Sequence, residues 1–211
     1  MTTGKIYLSS DLHFSHKNIV RGVTNWRTPE GEIPTKSTRD FNTIEQMNET
    51  LVSNINSVVG QEDTFIVLGD ISFGGFDNVN VLLDRLVCKN IHLILGNHDK
   101  HIENNRENIQ ERFLSVNHYL ETNIDGYDFV LCHYPLQSWH GLSKGVIHLH
   151  GHVHLNSENK FGNGKKMDVG VEGNDLKPYL IDDIIKIMNK RDIGSEMNND
   201  HHLDGMLGVV G

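Results

Sequence analysis

Groups that can bind metal ions follow five short apolar runs in this chain, each at the point where the run ends. The runs lead into DLHFSH, GDIS, GNHD, CHYP and GHVH. Carboxylate, imidazole and amide groups without thiolate suit Mn²⁺, Fe²⁺ or Zn²⁺ better than Cu⁺. The candidate metal ligands at these points are Asp11, His13, Asp70, Asn97, His133, His152 and His154.

Each motif alone has an ordinary structural explanation. An Asp after Gly, such as Asp70, is often a turn residue. A single histidine such as His133 is often only a hydrogen-bonded polar side chain, and Asp11 is also placed to cap a helix. In VIHLHGHVHL (residues 146–155) we expect His148 to be a structural or a surface residue and His150 to hydrogen-bond a ligand. The combination of five such points in one chain favours a common site.

Secondary-structure patterns explain how these points meet. The five runs, at residues 5–8, 64–68, 91–95, 127–131 and 146–150, are short and apolar, as buried strands are. Apolar residues every three or four positions predict helices over 41–58, 78–88, 101–113 and 181–188. Turn sequences at 125–126 and 162–164 predict two hairpins. An α/β domain with mixed sheets follows, in which loops at the carboxyl ends of the strands converge on a ligand.

The number of candidate ligands indicates how many ions they hold. Seven ligands exceed the four that a tetrahedral zinc uses. They suit two divalent ions that share one carboxylate, at the separation of roughly 3.5–4 Å found in sites for in-line displacement at phosphorus.

The motifs DLH, GD, GNHD, a single H and GHVH, in this order, resemble those of the calcineurin-like metallophosphoesterases, over about residues 5–190. The similarity is greatest to the small bacterial and phage phosphoesterases of that superfamily. It implies a four-layer α/β/β/α sandwich with two mixed β-sheets. It also implies hydrolysis of a phosphoester through attack by a metal-bound hydroxide.

The resemblance implies a role for each ligand. Asp11, His13 and His154 would hold the first ion, Asn97, His133 and His152 the second, and Asp70 would bridge them. Mn²⁺ is expected first, with Fe²⁺ or Zn²⁺ as alternatives.

Four side chains are expected to act on the substrate or beside it. His98 would lie outside the metal ligands, contact the phosphate together with Asn97, and protonate the leaving oxygen. Asp99 is a catalytic candidate that either orients His98 or caps the following helix. His16 either contacts the substrate phosphate or is a solvated helix residue.

One difference between this sequence and the protein phosphatases of the superfamily limits the classes of substrate that we expect. Its protein phosphatases carry GDxxDRG, whereas this chain reads GDISFGG and lacks the arginine. A phosphodiesterase or nucleotide phosphohydrolase is therefore favoured over a protein phosphatase. The alternative from another class is a non-catalytic scaffold of the same fold that binds a protein partner, and a zinc-stabilised structural domain is a third reading.

Composition sets the remaining expectations. The 211 residues carry a net charge of −9, which favours a small phosphorylated substrate, such as a nucleotide, over long nucleic acid. No apolar run approaches the roughly 20 residues of a membrane helix, the amino terminus does not read as a secretory signal, and the two cysteines are far apart, so a cytoplasmic location is expected. We expect one domain over residues 1–190, a flexible tail over 191–211 and a surface loop over 21–39. The oligomeric state is left open.

Overall fold

Two mixed β-sheets form the centre of the computed structural model, which describes residues 4–20, 39–157, 160–162 and 164–193. The first sheet has the order β4-β3-β2-β1-β9 and the second the order β5-β6-β7-β8. In chain order the strands are β1 (Ile6–Ser9), β2 (Thr64–Val67), β3 (Asn90–Ile94), β4 (Ser115–Asn117), β5 (Tyr119–Ile124), β6 (Tyr127–Cys132), β7 (Ile147–His150), β8 (Lys166–Asp168) and β9 (Tyr179–Leu180). The α/β fold with two mixed sheets is confirmed, and all five predicted runs are strands.

The four strands β1 to β4 pair in parallel, and β9 joins β1 antiparallel. In the second sheet β6, β7 and β8 are parallel, and β5 pairs antiparallel with β6. The predicted hairpin between β5 and β6 is confirmed, with left-handed backbone at Asp125 and Gly126. At the second predicted hairpin, Phe161 and Met167 form an antiparallel bridge, while residue 163 lies outside the described ranges.

Three of the four predicted helices are present, with bounds that differ by at most three residues from the predictions, and the fourth is not. The observed helices are α1 (Ile44–Val58), α2 (Phe76–Arg85), α3 (Lys100–Glu103) and α4 (Ile181–Met188). The helix predicted over 101–113 is wrong, because α3 ends after one turn and a 3-10 segment, Arg106–Arg112, follows. Asn105 between them has left-handed backbone, which Asn tolerates, and its Oδ1 accepts a hydrogen bond from the Gln110 N–H. None of the helices in the described ranges has the length and apolar character that a bilayer crossing requires.

Alternation along the strands of the first sheet separates two apolar cores. Tyr7, Phe65 and Val67 face the core that α1 and α2 cover. Leu8 and Ile66 face the core between the two sheets, into which α4 packs its apolar side. On the outer face of the second sheet, Trp139 from the segment after β6 packs against His148, with ring centroids 5.0 Å apart.

The carboxyl ends of the parallel strands of both sheets lie on the same side of the molecule. The Asp11 N–H donates to the Gly69 carbonyl, which joins the turns after β1 and β2. The Gly151 N–H donates to the His133 carbonyl, which joins the turns after β7 and β6. Ser10 and Gly170 form a parallel bridge between the two sheets. All the turns that carry candidate ligands therefore meet at one edge.

The predicted surface loop over 21–39 falls mainly on residues 21–38, which lie outside the described ranges. For Arg39 that prediction is wrong, because its side chain is fully buried and makes an ion pair with Glu172. The predicted tail lies mostly outside the described ranges as well, and the domain boundary at residue 190 stays a prediction.

Candidate metal centre

The turns that carry the candidate ligands bend through left-handed backbone. This conformation costs an L-residue about 1–2 kcal/mol and is most accessible to Asn, Asp and His. Such residues cluster at functional sites, where the surrounding structure holds them. Among the candidate ligands, φ is 55° at Asp11, 46° at His13, 51° at Asp70, 73° at His152 and 50° at His154.

Two glycines allow these turns to approach each other. A Cβ on Gly151 would overlap the side chains of Ser10 and Asp11, and a Cβ on Gly96 would overlap the Asp70 carboxylate. The glycines of GHVH and GNHD are therefore required by close approach to the turns that carry the two aspartates.

The Asp70 carboxylate lies at the centre of the site. Its Oδ2 is 3.5 Å from His13 Nε2 and 3.6 Å from His133 Nε2, so histidines from the two sheets approach the same oxygen. Its Oδ1 accepts a hydrogen bond from the His98 backbone N–H at 2.9 Å. Asp70 is buried, with 2% of its surface exposed.

A first group of ligands consists of Asp11, His13 and His154. His13 Nε2 lies 3.2 Å from His154 Nε2, and Asp11 Oδ1 lies 3.9 Å and 3.7 Å from these two nitrogens. Burial, reinforced by the carboxylates of Glu172 and Asp70, raises the pKa of Asp11 to about 7. Burial together with neighbouring positive groups holds the pKa of His13 well below its ordinary value, which favours the neutral ring that binds metal.

A second group consists of Asn97, His133 and His152. His133 Nε2 lies 3.1 Å and His152 Nδ1 lies 2.9 Å from Asn97 Oδ1. Because the Leu68 carbonyl can only accept, the proton of neutral His133 is on Nδ1, 2.8 Å from that oxygen. The lone pair of His133 Nε2 therefore faces Asn97 Oδ1, which is also an acceptor. Two acceptors at this distance repel each other unless a cation lies beside them, and the donor set fits a divalent ion.

Within the described residues, two clusters of carboxylate and imidazole groups are close enough to hold an ion, and Asp11 belongs to both. One cluster is Asp11, His13 and His154, and the other is Asp11, Asp70 and His133. The structure therefore brings all seven predicted ligands together.

His98 and His16 border the first group of ligands. The His98 ring is half exposed, lies 5.3 Å from the His13 ring and has its Nε2 3.9 Å from Asp70 Oδ2. His16 Nδ1 lies 3.1 Å from His13 Nδ1, and the His16 ring stacks on Phe73 with centroids 3.8 Å apart. Burial and the neighbouring His98 lower the pKa of His16 to about 4. His16 is therefore part of the site wall, next to a three-residue 3-10 helix (Lys17–Ile19).

The Asp99 carboxylate accepts hydrogen bonds from the backbone of two neighbouring turns. Its Oδ2 accepts hydrogen bonds from the backbone N–H groups of Asp70 and Gly96, both at 2.8 Å, and its Oδ1 accepts one from Ile71 at 3.2 Å. It stands at the N-cap of α3 without a capping side-chain hydrogen bond. The predicted N-cap position of Asp99 is confirmed, but its carboxylate holds the backbone around Asp70 and does not cap the helix. A role of Asp99 in orienting His98 stays a prediction.

The two histidines on β7 bond to backbone. His148 is buried, its Nδ1 donates to the Val130 carbonyl, and its Nε2 accepts from the Leu136 N–H, so its predicted structural role is confirmed. His150 Nδ1 bonds to the Gly151 carbonyl at 3.0 Å and not to a ligand side chain. The expectation that His150 supports a ligand directly is wrong at this nitrogen.

Three residues near the site had no signal in the sequence. Arg39 and Glu172 form a buried pair that contacts His154. Tyr134 follows His133, is 44% exposed, and has its ring 4.8 Å from that of His152. Only the position of Tyr134 beside a predicted ligand could have drawn attention to it.

Comparisons with known proteins agree with this arrangement. A family model described as calcineurin-like phosphoesterase matches residues 4–196. An uncharacterised protein of Methanocaldococcus jannaschii is 33% identical over 205 residues, covering 94% of this chain and 99% of the relative. The gene 66 protein of Mycobacterium phage D29 is 28% identical, covering 87% and 96%. A crystal structure of a protein of unknown function from Aquifex aeolicus has a TM-score of 0.61 at 24% identity, covering 87% and 99%, and shares the fold.

Proposed function

The chain belongs to the calcineurin-like phosphoesterase family, a family of metal-binding hydrolases of phosphoesters, and from this membership we propose that it is a phosphodiesterase or nucleotide phosphohydrolase that uses two divalent ions. One observation carries the proposal. Asp70 Oδ2 lies within 3.6 Å of His13 Nε2 and of His133 Nε2, and these two histidines belong to different ligand groups. A carboxylate in that position is suited to bridge two ions.

Each of the two ligand groups would hold one ion. Asp11, His13 and His154 would hold the first ion, Asn97, His133 and His152 the second, and Asp70 both. Bound divalent ions supply positive charge for the phosphate and lower the pKa of a coordinated water toward about 7. The acidic chain, with its net charge of −9, thereby gains a local site for an anion.

His98 is placed to act on the substrate itself. It lies outside both ligand groups, and its half-exposed ring remains within reach of a group bound at Asp70. We assign it the proton donated to the leaving oxygen, or a hydrogen bond to the phosphate, a contribution of roughly 10²–10⁴-fold in rate. Asn97 and His16 would contact the substrate from either side of it.

The substrate we propose is a small phosphodiester or nucleotide. Phe73 and two glycines occupy the segment in which protein phosphatases of the superfamily carry an arginine for a phosphate monoester. Mn²⁺ is the first choice of ion, and Fe²⁺ or Zn²⁺ would satisfy the same nitrogen and oxygen ligands.

Metal reconstitution tests this proposal. The full chain is treated with chelator, restored with Mn²⁺, Fe²⁺ or Zn²⁺, and assayed on bis-p-nitrophenyl phosphate and p-nitrophenyl phosphate while bound metal is counted. We expect two ions per chain and faster hydrolysis of the diester. Dinucleotides, cyclic nucleotides and phosphomonoesters are then compared as substrates.

The His98→Ala variant, prepared in parallel, controls for a contaminating phosphatase. A folded protein that binds no divalent ion, or that hydrolyses none of these esters with any of the three ions, would overturn the proposal. Inactivity with metals bound would support the non-catalytic scaffold instead.

A further inference from the structure

Arg39 is a fully buried arginine whose three nitrogens all donate hydrogen bonds. Its Nε donates to Glu172 Oε1 at 2.5 Å. Its Nη2 donates to the Asp11 carbonyl at 2.5 Å, and its Nη1 donates to the Leu12 carbonyl at 3.1 Å. The guanidinium therefore joins Glu172 to the backbone between two candidate ligands of the first group.

The Glu172 carboxylate connects this arginine to a third ligand. Its Oε1 also accepts a hydrogen bond from His154 Nδ1, at 3.1 Å. Burial acts to raise the pKa of Glu172, but Arg39 and His154 outweigh it and hold the pKa at about 2. Its Oε1, 2.5 Å from Arg39 Nε and 3.1 Å from His154 Nδ1, is placed to accept hydrogen bonds from both neighbours.

A buried ion pair needs an explanation beyond stability. Replacing such a pair with apolar residues of similar volume is often neutral or stabilising, because two charges must be removed from water. The contacts here suggest the explanation, since they end on Asp11 and His154. In a neutral His154 ring, the hydrogen bond from Nδ1–H to Glu172 leaves the lone pair on Nε2, which lies 3.2 Å from His13 Nε2.

We propose that Arg39 and Glu172 are positioning residues for the first metal site: Glu172 fixes the tautomer and ring orientation of His154, and Arg39 holds the Asp11 turn against the same carboxylate. This inference rests on the proposed function. Carboxylates that orient a metal-binding histidine in this way typically contribute 10–100-fold to metal affinity.

The effect is confined to one ion by the geometry. In the second group, His133 Nδ1 bonds to the Leu68 carbonyl, and His152 Nδ1 faces Asn97. Within the described residues, neither histidine has a hydrogen bond to Arg39 or Glu172. Loss of the pair should therefore weaken one ion and spare the other.

Two double variants separate positioning from charge. Arg39→Met/Glu172→Leu removes both charges and the acceptor for His154. Arg39→Met/Glu172→Gln also removes both charges but keeps an amide oxygen for the His154 Nδ1–H. The matched control is Glu121→Gln, which removes a surface carboxylate that bonds to His140 Nδ1 at 2.8 Å.

Chelated full-length protein is titrated with Mn²⁺ by calorimetry, and the bound ions are followed by electron paramagnetic resonance. For the leucine variant we expect one of two binding steps to weaken 10–100-fold, with the coupled two-ion signal replaced by that of isolated Mn²⁺. The glutamine variant should recover most of that loss, and Glu121→Gln should match wild type.

The outcomes distinguish this inference from the proposed function. If wild type binds two ions and the folded leucine variant binds both with unchanged affinity, the pair is only structural and the inference fails alone. If wild type binds none of Mn²⁺, Fe²⁺ and Zn²⁺, both fail. Should the leucine variant not fold, Glu172→Asp gives a second test, because the shorter side chain keeps a negative charge opposite Arg39 but moves the oxygen that His154 contacts out of hydrogen-bond distance.

Discussion

Asp99 Oδ2 accepts a hydrogen bond from the Asp70 backbone N–H at 2.8 Å, which ties the turn after β3 to the turn after β2. The same carboxylate accepts from Gly96 and Ile71, so three backbone N–H groups depend on it. A residue outside the predicted ligand set thus fixes the backbone that carries the carboxylate at the centre of the site.

The Asp99→Asn variant should destabilise the fold. The amide offers one acceptor where the carboxylate offers two, and its NH₂ would face a backbone N–H, so the free energy of unfolding should fall by about 1–3 kcal/mol. Urea unfolding of chelated protein measures this loss. Asp84→Asn, at an exposed carboxylate paired with Arg112, should change it by less than about 0.5 kcal/mol. Unchanged stability with lost turnover would restore a direct role of Asp99 on His98.

The His98→Ala variant should keep both ions and lose most turnover. The imidazole is outside both ligand groups, so metal counting on the purified variant should match wild type. We expect kcat to fall roughly 10²–10⁴-fold because a proton donor is lost. Loss of an ion from the variant would contradict the role assigned to His98.

The Asp70→Ala variant should lower occupancy at both metal sites. Asp70 Oδ2 faces a histidine of each group, so its removal affects both ions and leaves their charges less screened. Calorimetric titration with Mn²⁺ measures the two affinities. Asp77→Ala, at an exposed position in the first turn of α2, is the control. Retention of both ions at wild-type affinity would exclude the bridge.

Tyr134 should favour substrates that carry a second aromatic group. Its ring lies 5.0 Å from that of His133 and is partly open to solvent. Aromatic pairs contribute about 0.5–1.5 kcal/mol, so Tyr134→Ala should lower kcat/KM for bis-p-nitrophenyl phosphate about 2–10-fold relative to methyl p-nitrophenyl phosphate. Tyr134→Phe keeps the ring and should preserve the ratio. An equal loss for both esters would show that Tyr134 does not contact the second substituent.

Acid should destabilise the chelated protein through His148. Burial lowers the pKa of His148 from 6.5 to about 4. Between these pH values the unfolded chain therefore binds a proton at this residue, whereas the folded chain does not. The stabilising contribution is complete above pH 6.5 and is lost as pH falls toward 4, by about 3 kcal/mol in all. Urea unfolding gives the free energy of unfolding at pH 7 and at pH 4.5. The difference between these two values should be smaller by roughly 2 kcal/mol in His148→Gln than in wild type. In a variant of the exposed His118, His118→Gln, it should be unchanged.

The convergence of the candidate ligands was predictable because each follows a strand and the strands are parallel. A short apolar run such as Thr64–Val67 identifies a buried strand, and the chain direction places Asp70 at its carboxyl end. The rule that these ends converge then brings side chains from both sheets together without any knowledge of the coordinates.

The supporting residues could not be found in this way. Arg39 and Glu172 are 133 positions apart, and neither follows a strand run. The backbone contacts of Asp99 were not predicted, because its neighbour His98 suggested a shared role, whereas the turn directs the Asp99 carboxylate to the backbone of another strand end. The helix over 101–113 was overextended because apolar spacing does not reveal a left-handed residue such as Asn105.

The left-handed turns at five of the candidate ligands set the stability of the fold against the function of the site. Glycine would adopt each of these conformations with less strain, yet glycine offers no metal-binding side chain. Variants selected only for thermal stability should therefore accumulate glycine at these positions and lose activity as their stability rises. We therefore expect the most heat-resistant and the most active forms of this protein to differ in sequence at this edge of the two sheets.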